Sequence, residues 1–364
     1  MTTVTVYRST DTSAPTLTGQ VGSLTTLLNA CLVAGYGSQP AAGWTSTYSG
    51  TNTKQFKNSA TDGTGTSVWI DDNGGGGGGA SEAFATGFVT MTAAATGTGQ
   101  FPTSAQIPQG VSVVGAITIR KSATTDSTAR KWTVIADDTC FYLFTETGDY
   151  ASPLGPFAFM FGDIFSYKTS DPYRAMIMGG VGVNTNDLRY QWFSAFSGND
   201  QTESYADNRM TYTIPGHFMA GSFTGTGSST TVGKHSDAFK CGVNNGGVQQ
   251  NTGGAVPYNS AVNFQGSWLM GNNANQGWSM NNPNGPDGGL WLAPIWVHHG
   301  GNVRGYLKGL WNPCQFLPLN HNDTFSGSGT LAGKSFLVQN MGACDHNANY
   351  RLAQVFIETS STWS

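Results

Sequence analysis

The stretch KWTVIADDTCFYLFTE, residues 131–146, decides the fold class. Trp132 and Val134 stand two residues apart before a short acidic turn, and Phe141 and Leu143 stand two residues apart after it. Side chains on a strand alternate between its two faces, so this spacing predicts two antiparallel strands joined as a hairpin.

Apolar runs of similar length, bounded by turn residues, recur through most of the chain. The predicted strands are Val111–Arg120, Lys131–Ala136, Cys140–Thr145, Phe157–Phe161, Ala175–Met178, Leu290–His298, Ser335–Gln339 and Ala353–Thr359. No sequence repeat of about 20–50 residues accompanies them, which argues against a propeller or a β-helix. The sequence therefore predicts an all-β protein with sandwich-like antiparallel sheets and long loops rich in glycine and asparagine.

The composition favours the same fold class. Only 10% of the 364 residues are charged and 50 are glycine, whereas charged residues make up about 25% of an average soluble domain. The 17 basic residues are scattered and the net charge is −4, so no nucleic-acid partner is expected. The first residues do not resemble a secretion signal, and the chain has no apolar run of membrane-spanning length. These features predict that the protein is assembled in a cytoplasm and does not insert into a membrane.

One segment has helical rather than strand spacing, at about residues 23–34. Its apolar residues are Leu24, Leu27, Leu28, Cys31 and Leu32. Ser23 is placed to cap the start and Gly35 to end the helix. Two roles stay open for the leucines: packing against the chain's own sheet, or a possible assembly contact with a partner subunit through Leu24, Leu27, Leu28 and Leu32.

The chain divides into three predicted regions. Residues 1–222 form a β-rich main body that includes the helix, residues 223–286 form an insertion rich in glycine and asparagine, and residues 287–364 supply strands that complete the body. Six consecutive glycines, Gly74–Gly79, predict a mobile loop because ordering them is entropically costly.

His298 and His299 could be taken for a metal-ligand pair. Adjacent residues on a strand point to opposite faces, so they cannot chelate one ion from regular strand geometry. We interpret them as a strand end entering the Gly300–Gly301 turn, with Pro294 marking an edge or a bulge. Another combination, Cys344, Asp345 and His346 with His321, has no spacing that fixes a metal site, and no metal is predicted.

The cysteines, Cys31, Cys140, Cys241, Cys314 and Cys344, show no pairing pattern. An odd and sparse set of this kind is typical of reduced, mostly buried thiols, so all are predicted to be free.

Acidic residues offer one route to hydrolytic chemistry. The candidates are Asp71, Asp72, Asp137, Asp138, Glu146 and Asp163. Glycoside hydrolysis needs two carboxylates about 5–10 Å apart across a cleft, whereas adjacent acidic residues in turns are usually solvated. No GxSxG elbow is present to support a serine nucleophile. We predict that the protein is not an enzyme, with no catalytic residue.

A near match to a phosphate-binding loop, GSGTLAGKS, spans Gly327–Ser335. The motif needs glycine where Ser328 stands, and a helix must follow it to receive the phosphate. The sequence after it is strand-like instead, so no cofactor-binding residue and no cofactor are predicted.

Aromatic residues are dense in the middle third of the chain. They include Tyr150, Phe157, Tyr167, Tyr173, Tyr190, Trp192 and Phe196. Most are expected in the core, with a subunit interface or a sugar-binding platform as the alternatives.

Several long motifs resemble one family. They are VYRSTDTSAPTLTGQVGSLTTLLNACLVAGYG, KWTVIADDTCFYLF, FMFGDIFSYKTSDPY, DGGLWLAPIWVH and AQVFIETSSTW, the last with Ala353 where a glycine would be expected. In order and spacing they resemble a family of tailed-bacteriophage proteins described as virion structural or tail-associated. The resemblance covers most of residues 4–222 and 287–363, and it brings no catalytic residues with it.

The resemblance implies a structural subunit of a bacteriophage particle, found in the virion and assembled in the host cell cytoplasm. A tail or baseplate position is the first expectation, and a capsid-surface decoration or fibre protein is the alternative. A glycan-binding receptor module or a depolymerase, which would be a different class of function, stays open as a further alternative. The expected partners are other virion proteins and further copies of the chain, with a trimer as the first expectation, and a host-surface glycan as an additional possibility.

Overall fold

The computed structural model describes residues 3–75, 79–103, 115–148, 157–181, 216–221, 240–241, 292–299, 302–313, 319–344 and 350–363. The protein is all-β with one short helix, as predicted. The strands are β1 Thr5–Arg8, β2 Ser49–Gly50, β3 Thr53–Lys57, β4 Ser67–Asp71, β5 Glu82–Ala93, β6 Thr96–Phe101, β7 Ile117–Arg120, β8 Lys131–Ala136, β9 Cys140–Glu146, β10 Phe157–Asp163, β11 Phe165–Ser166, β12 Ala175–Val181, β13 Gly216–Gly221, β14 Lys240–Cys241, β15 Leu292–His299, β16 Asn302–Pro313, β17 Thr324–Ser326, β18 Ser335–Cys344 and β19 Tyr350–Glu358.

These strands form two antiparallel sheets. The larger, 12-stranded sheet has the order β1-β8-β9-β10-β12-β7-β5-β4-β3-β2, with β13 beside β12 and β6 beside β5. The 7-stranded sheet has the order β14-β15-β16-β19-β18-β17, with β11 beside β16.

The centre of the larger sheet is buried on both faces. Phe141 and Leu143 on β9 pack into a core that also contains the helix. Tyr142 lies on the opposite face, in a second core that includes Leu337 and Ile357 of the smaller sheet. The two sheets therefore pack face to face as a sandwich, with the helix as a further layer, and burial on both faces explains the continuous apolar run CFYLF.

The predicted hairpin is confirmed at residue level. β8 and β9 pair in antiparallel register with Ala136 opposite Phe141. Asp137 shapes the turn, because its Oδ1 accepts hydrogen bonds from the Thr139 and Cys140 amides, each at 2.7 Å. This is the local bonding by which aspartate favours turns.

The other predicted strands are found, with shifted ends. Of Val111–Arg120, only Ile117–Arg120 is strand among the described residues, which begin here at residue 115. β15 ends at His299 and its pairing shifts register between Pro294 and Trp296, so the predicted strand end and bulge are both confirmed.

The helix is also confirmed, with two corrections. It runs as α-helix α1 over Ser23–Asn29 and ends in a π-helical turn over Ala30–Ala34, where the Gly35 amide donates to the Ala30 carbonyl at 2.8 Å. Gly35 has a φ of 77°, as a terminating glycine should. The N-cap residue is Gly22 rather than Ser23, whose hydroxyl donates to the Gln20 carbonyl instead.

The leucines of the helix face inward. Leu24, Leu27, Leu28 and Leu32 each have 0% exposed surface and lie in the core shared with the larger sheet. The prediction that they form an assembly contact is therefore wrong, because side chains without accessible surface cannot reach a second copy. Packing against the chain's own sheet, the other alternative, is what the structure shows.

Parts of the predicted organisation lie outside the described residues. Of the insertion at 223–286, only Lys240–Cys241 is described, as the strand β14 beside β15. Residues 76–78 of the hexaglycine segment also lie outside. The three-region division stays a prediction.

Candidate functional site

The acidic candidates are distributed over several separate environments. Asp72, Asp137, Asp138 and Asp163 are buried, with 0% to 8% of their surface exposed. The expectation that the paired aspartates are solvated turn residues is therefore wrong for Asp72, Asp137 and Asp138. Burial of a carboxylate is costly unless cations or hydrogen-bond donors compensate it, so the partners of each one define what it can do.

Asp72 lies beneath the start of the helix. Its Oδ2 accepts hydrogen bonds from the Leu24 and Thr25 amides at 2.8 and 3.4 Å. Its Oδ1 pairs with the Lys121 ammonium, and both side chains have 0% exposed surface. Lys121 also donates to the Gln20 carbonyl at 2.7 Å. Asp72 therefore caps a helix that starts almost fifty residues earlier, a role that sequence spacing could not reveal.

Burial raises the pKa of Asp72, and Lys121 together with the two helix amides opposes the rise. Burial likewise lowers the pKa of Lys121, and Asp72 opposes that change. Each group thus stabilises the charged form of the other in a region without solvent. The arrangement holds the helix on the sheet and leaves neither group available for a ligand.

Asp163, at the end of β10, is held by donors on both oxygens. Its Oδ1 accepts from Asn58 Nδ2 at 3.0 Å and from the Thr64 hydroxyl at 2.7 Å. Its Oδ2 accepts from Arg174 Nε at 3.0 Å. Burial raises the pKa of Asp163, opposed by Thr64, Arg174 and the nearby Lys308.

Two cations of β16 lie where the smaller sheet meets segments that lead to the larger one. Arg304 Nη2 lies 2.7 and 2.6 Å from the two carboxylate oxygens of Asp171, which stands in the connection from β11 of the smaller sheet to β12 of the larger one. Lys308 Nζ donates to the Thr139 hydroxyl at 2.5 Å and lies 3.8 Å from Asp137 Oδ2. We call these contacts the interlayer seam. Charge-assisted bonds of this kind fix the relative position of the two layers.

The buried carboxylates in these clusters are thus engaged by a cation, a hydroxyl or backbone amides. A retaining or inverting hydrolase needs one carboxyl free to donate a proton and another free to attack or to activate water. The arrangement of Asp72, Asp137 and Asp163 instead suits a structural role. The expectation of no enzymatic activity stays a prediction.

The near-match phosphate loop and the possible metal ligand His321 make contacts with acidic side chains of the chain itself. Lys334, the lysine of the near-match phosphate loop, pairs with the buried Glu358 at 2.8 Å, and strand β18 follows it as expected. His321 Nε2 lies 3.7 Å from Glu146 Oε1. Within the described ranges, no group of three or more His, Cys, Asp or Glu side chains could hold a metal ion, and Asp345 and His346 lie outside those ranges.

The aromatic residues of the middle third divide between core and surface. Phe157 is buried, whereas Tyr167 and Tyr173 are 60% and 38% exposed. The rest, Tyr150, Tyr190, Trp192 and Phe196, lie outside the described residues.

Tyr167 belongs to a small aromatic surface. The ring centroids of Tyr167 and Tyr306 are 6.0 Å apart, and Tyr306 stacks on Phe165 at 5.0 Å. Lys308 Nζ lies 5.3 Å from the centroid of the Phe165 ring. We call Tyr167, Tyr306 and Phe165 the tyrosine ledge, which lies above the interlayer seam and presents one mostly exposed ring.

Comparison with protein-family models and with curated proteins found no match. In the part of the chain that the structure describes, no helix is long and apolar enough to cross a membrane.

Proposed function

We propose that the chain is a structural subunit of a bacteriophage particle, with a tail or baseplate position as the first expectation and a capsid-surface decoration or fibre protein as the alternative. The observation that supports this most is the interlayer seam. Arg304 and Lys308, two of the chain's 17 basic residues, pair with carboxylates where the two sheets meet. A scaffold held in this way resists deformation, which suits a repeated particle component.

Composition and motif resemblance support the same proposal. The low fraction of charged residues and the abundant glycine, threonine and asparagine suit a durable β-scaffold. The protein would then reside in the virion, after assembly in the host cell cytoplasm, and contact other virion proteins and its own copies.

The test uses particles of the phage that encodes the chain. Mass spectrometry of gradient-purified particles should detect the protein at a fixed ratio to the major capsid protein. Gold-labelled antibody should then mark the tail, the baseplate or the capsid surface, which separates the alternatives. A protein found only in the lysate supernatant would rule out the particle role.

A glycan-binding receptor module is the second candidate, and the tyrosine ledge is the observation that favours it. An exposed tyrosine ring offers an apolar face and a hydroxyl, the combination by which rings pack against sugars and donate hydrogen bonds to them. Titration with host-surface polysaccharide should show binding that Tyr167→Ala abolishes and Val21→Ala, at another exposed apolar residue, leaves unchanged. Release of reducing ends during the same titration would indicate a depolymerase instead.

A further inference from the structure

Asn73 stands directly before Gly74 in the segment that follows β4. The sequence contains three asparagine–glycine pairs, and the other two, at 245–246 and 284–285, lie outside the described residues. Glycine has no side chain to shield its backbone nitrogen, so this nitrogen can approach the side-chain carbonyl of the asparagine before it. The pair at 73–74 is therefore a candidate site of covalent rearrangement.

The Asn73 side chain is exposed and makes two hydrogen bonds at the surface. Its Oδ1 accepts from Asn52 Nδ2 at 3.3 Å, and its Nδ2 donates to Asp71 Oδ1 at 2.9 Å. The donor on Oδ1 draws electrons from the side-chain carbonyl carbon and makes it a better target for a nucleophile. Because both bonds are open to solvent, they restrain the side chain only weakly, and it can turn towards Gly74.

The fold requires a glycine at position 74. Gly74 has a φ of 73°, a conformation that favours glycine. A β-carbon there would also lie 2.8 Å from both the Cα and the nitrogen of Ala80, so the backbone of Gly74 lies directly against Ala80. The unshielded nitrogen after Asn73 is therefore a consequence of how this segment packs.

We propose that Asn73–Gly74 is a site of spontaneous rearrangement, at which the Gly74 nitrogen attacks the side-chain carbonyl carbon of Asn73. The new N–Cγ bond closes a succinimide ring and the Cγ–Nδ2 bond breaks, so the amide nitrogen leaves as ammonia with the proton of the Gly74 amide. Water then adds to either ring carbonyl. Opening at one carbonyl leaves aspartate in an ordinary backbone, and opening at the other leaves isoaspartate, whose backbone runs through the former side chain.

The backbone is held in place on both sides of Asn73. On one side the Asp72 carbonyl accepts a hydrogen bond from the Gly22 amide at 3.1 Å, and the Asp72 carboxylate caps the helix. On the other side Gly74 lies against Ala80. Isoaspartate adds one backbone atom between these two fixed points, so Gly74 or Asp72 must move. The rearrangement should therefore weaken the attachment of the helix.

The inference is independent of the proposed particle role. It concerns the covalent state of the chain over time, and a subunit that persists in a particle would have time to accumulate the change.

The test follows the purified full chain at mildly alkaline pH over several weeks. Chymotryptic cleavage after Trp69 and Phe84 gives the peptide 70–84, in which Asn73 is the single asparagine. This peptide should gain the mass difference between an amide and a carboxyl group, and isoaspartyl methyltransferase should label part of the product. The rate should rise with pH, because the Gly74 nitrogen attacks after it has lost its proton.

Two controls keep the result specific. Asn73→Gln retains the amide but would need a larger ring, which closes more slowly, so its peptide should keep its mass. Asn322 is exposed and is followed by Asp323, so in the wild type it should stay unmodified. An unchanged peptide 70–84 would overturn the proposal. Aspartate without isoaspartate would also overturn it, because direct hydrolysis of the amide yields aspartate alone.

A second measurement isolates the effect of the added backbone atom. Asn73→Asp carries the new charge in an ordinary backbone, so it is the matched control for the isoaspartate fraction of the aged protein. The isoaspartate fraction should melt at a lower temperature than Asn73→Asp. Equal melting temperatures would overturn the inferred effect on the helix.

Discussion

Asp72 and Lys121 form an ion pair with 0% exposed side-chain surface beneath the first turn of the helix. The pair connects the end of β4, the segment after β7 and the Leu24 amide. The same two side chains therefore cap the helix, attach it to the larger sheet and neutralise each other's buried charge.

Lys121→Met should destabilise the protein strongly. The change leaves the Asp72 carboxylate buried without its cation, and breaking a buried ion pair in this way costs about 3–5 kcal/mol. The free energy of unfolding in urea measures the loss. Lys131→Met is the matched control, since its ammonium is 75% exposed and lies 4.0 Å from Glu146, and it should change stability by less than about 1 kcal/mol. Equal losses in the two variants would contradict the structural role of the pair.

Leu28→Ala should also be costly, because the side chain has no exposed surface and lies in the core beneath the helix. Removing a buried leucine side chain costs about 2–5 kcal/mol. Val21→Ala, at a residue that is 44% exposed just before the helix, should cost less than about 0.5 kcal/mol. Thermal unfolding of the two variants tests this. A core role for the helix predicts a lower melting temperature for Leu28→Ala alone, whereas a surface role predicts that both variants melt near the wild-type temperature.

The local parts of the fold could be predicted from the sequence, and the distant contacts could not. The β8–β9 hairpin is set by a pattern within 16 residues, 131–146, and the Gly35 helix end by a single glycine. Asp72 and Lys121 stand 49 residues apart, and Asp171 and Arg304 stand 133 apart. No local propensity links such residues, because their pairing depends on the order of strands in the sheets.

The same limit explains the error over the acidic residues. ADDT has the composition of a solvated turn, and Asp137 does shape a turn. Its burial follows from the smaller sheet, which brings Lys308 over the turn from a position 169 residues beyond Thr139. The helix leucines show the converse case, since helical spacing identified an apolar face but not the surface that covers it.

The Cys31 and Cys140 thiols should resist alkylation in the native protein. Both are free and buried, and burial raises the pKa of each thiol well above its ordinary value, which suppresses the reactive thiolate. Iodoacetamide followed by peptide mass spectrometry should find neither residue modified before unfolding and both modified in guanidinium chloride. Rapid labelling of Cys140 in the native protein would show that the two sheets separate readily there.

Arg304→Met should weaken the interlayer seam. The variant leaves the Asp171 carboxylate, which is 1% exposed, without the guanidinium that lies against both oxygens. We expect a loss of about 3 kcal/mol or more in the free energy of unfolding. Lys168→Met, at an exposed lysine close to Asp171 in sequence, is the control and should change stability by less than about 1 kcal/mol. Hydrogen exchange should rise first in β16 if the seam holds the layers together, whereas a uniform rise would indicate general destabilisation.

The contact between Glu146 and His321 should make stability depend on acid pH. The contact with His321, with a smaller contribution from Lys131, lowers the pKa of Glu146 below its ordinary value of 4.5 despite partial burial. A carboxyl whose pKa is lower in the folded state binds protons more weakly there than in the unfolded chain. The stability that this carboxyl contributes is therefore complete above its pKa in the unfolded chain, and it disappears as the pH falls through its pKa in the folded protein.

Glu146→Gln removes this contribution. The difference in unfolding free energy between wild type and variant should be largest near neutral pH and should shrink towards zero as the pH falls below about 4. It should stay under about 1 kcal/mol, because the Glu146 side chain is 36% exposed and solvent screens the contact. Parallel urea titrations at several pH values measure it, and a difference that does not change with pH would mean that Glu146 acts through packing rather than through its charge.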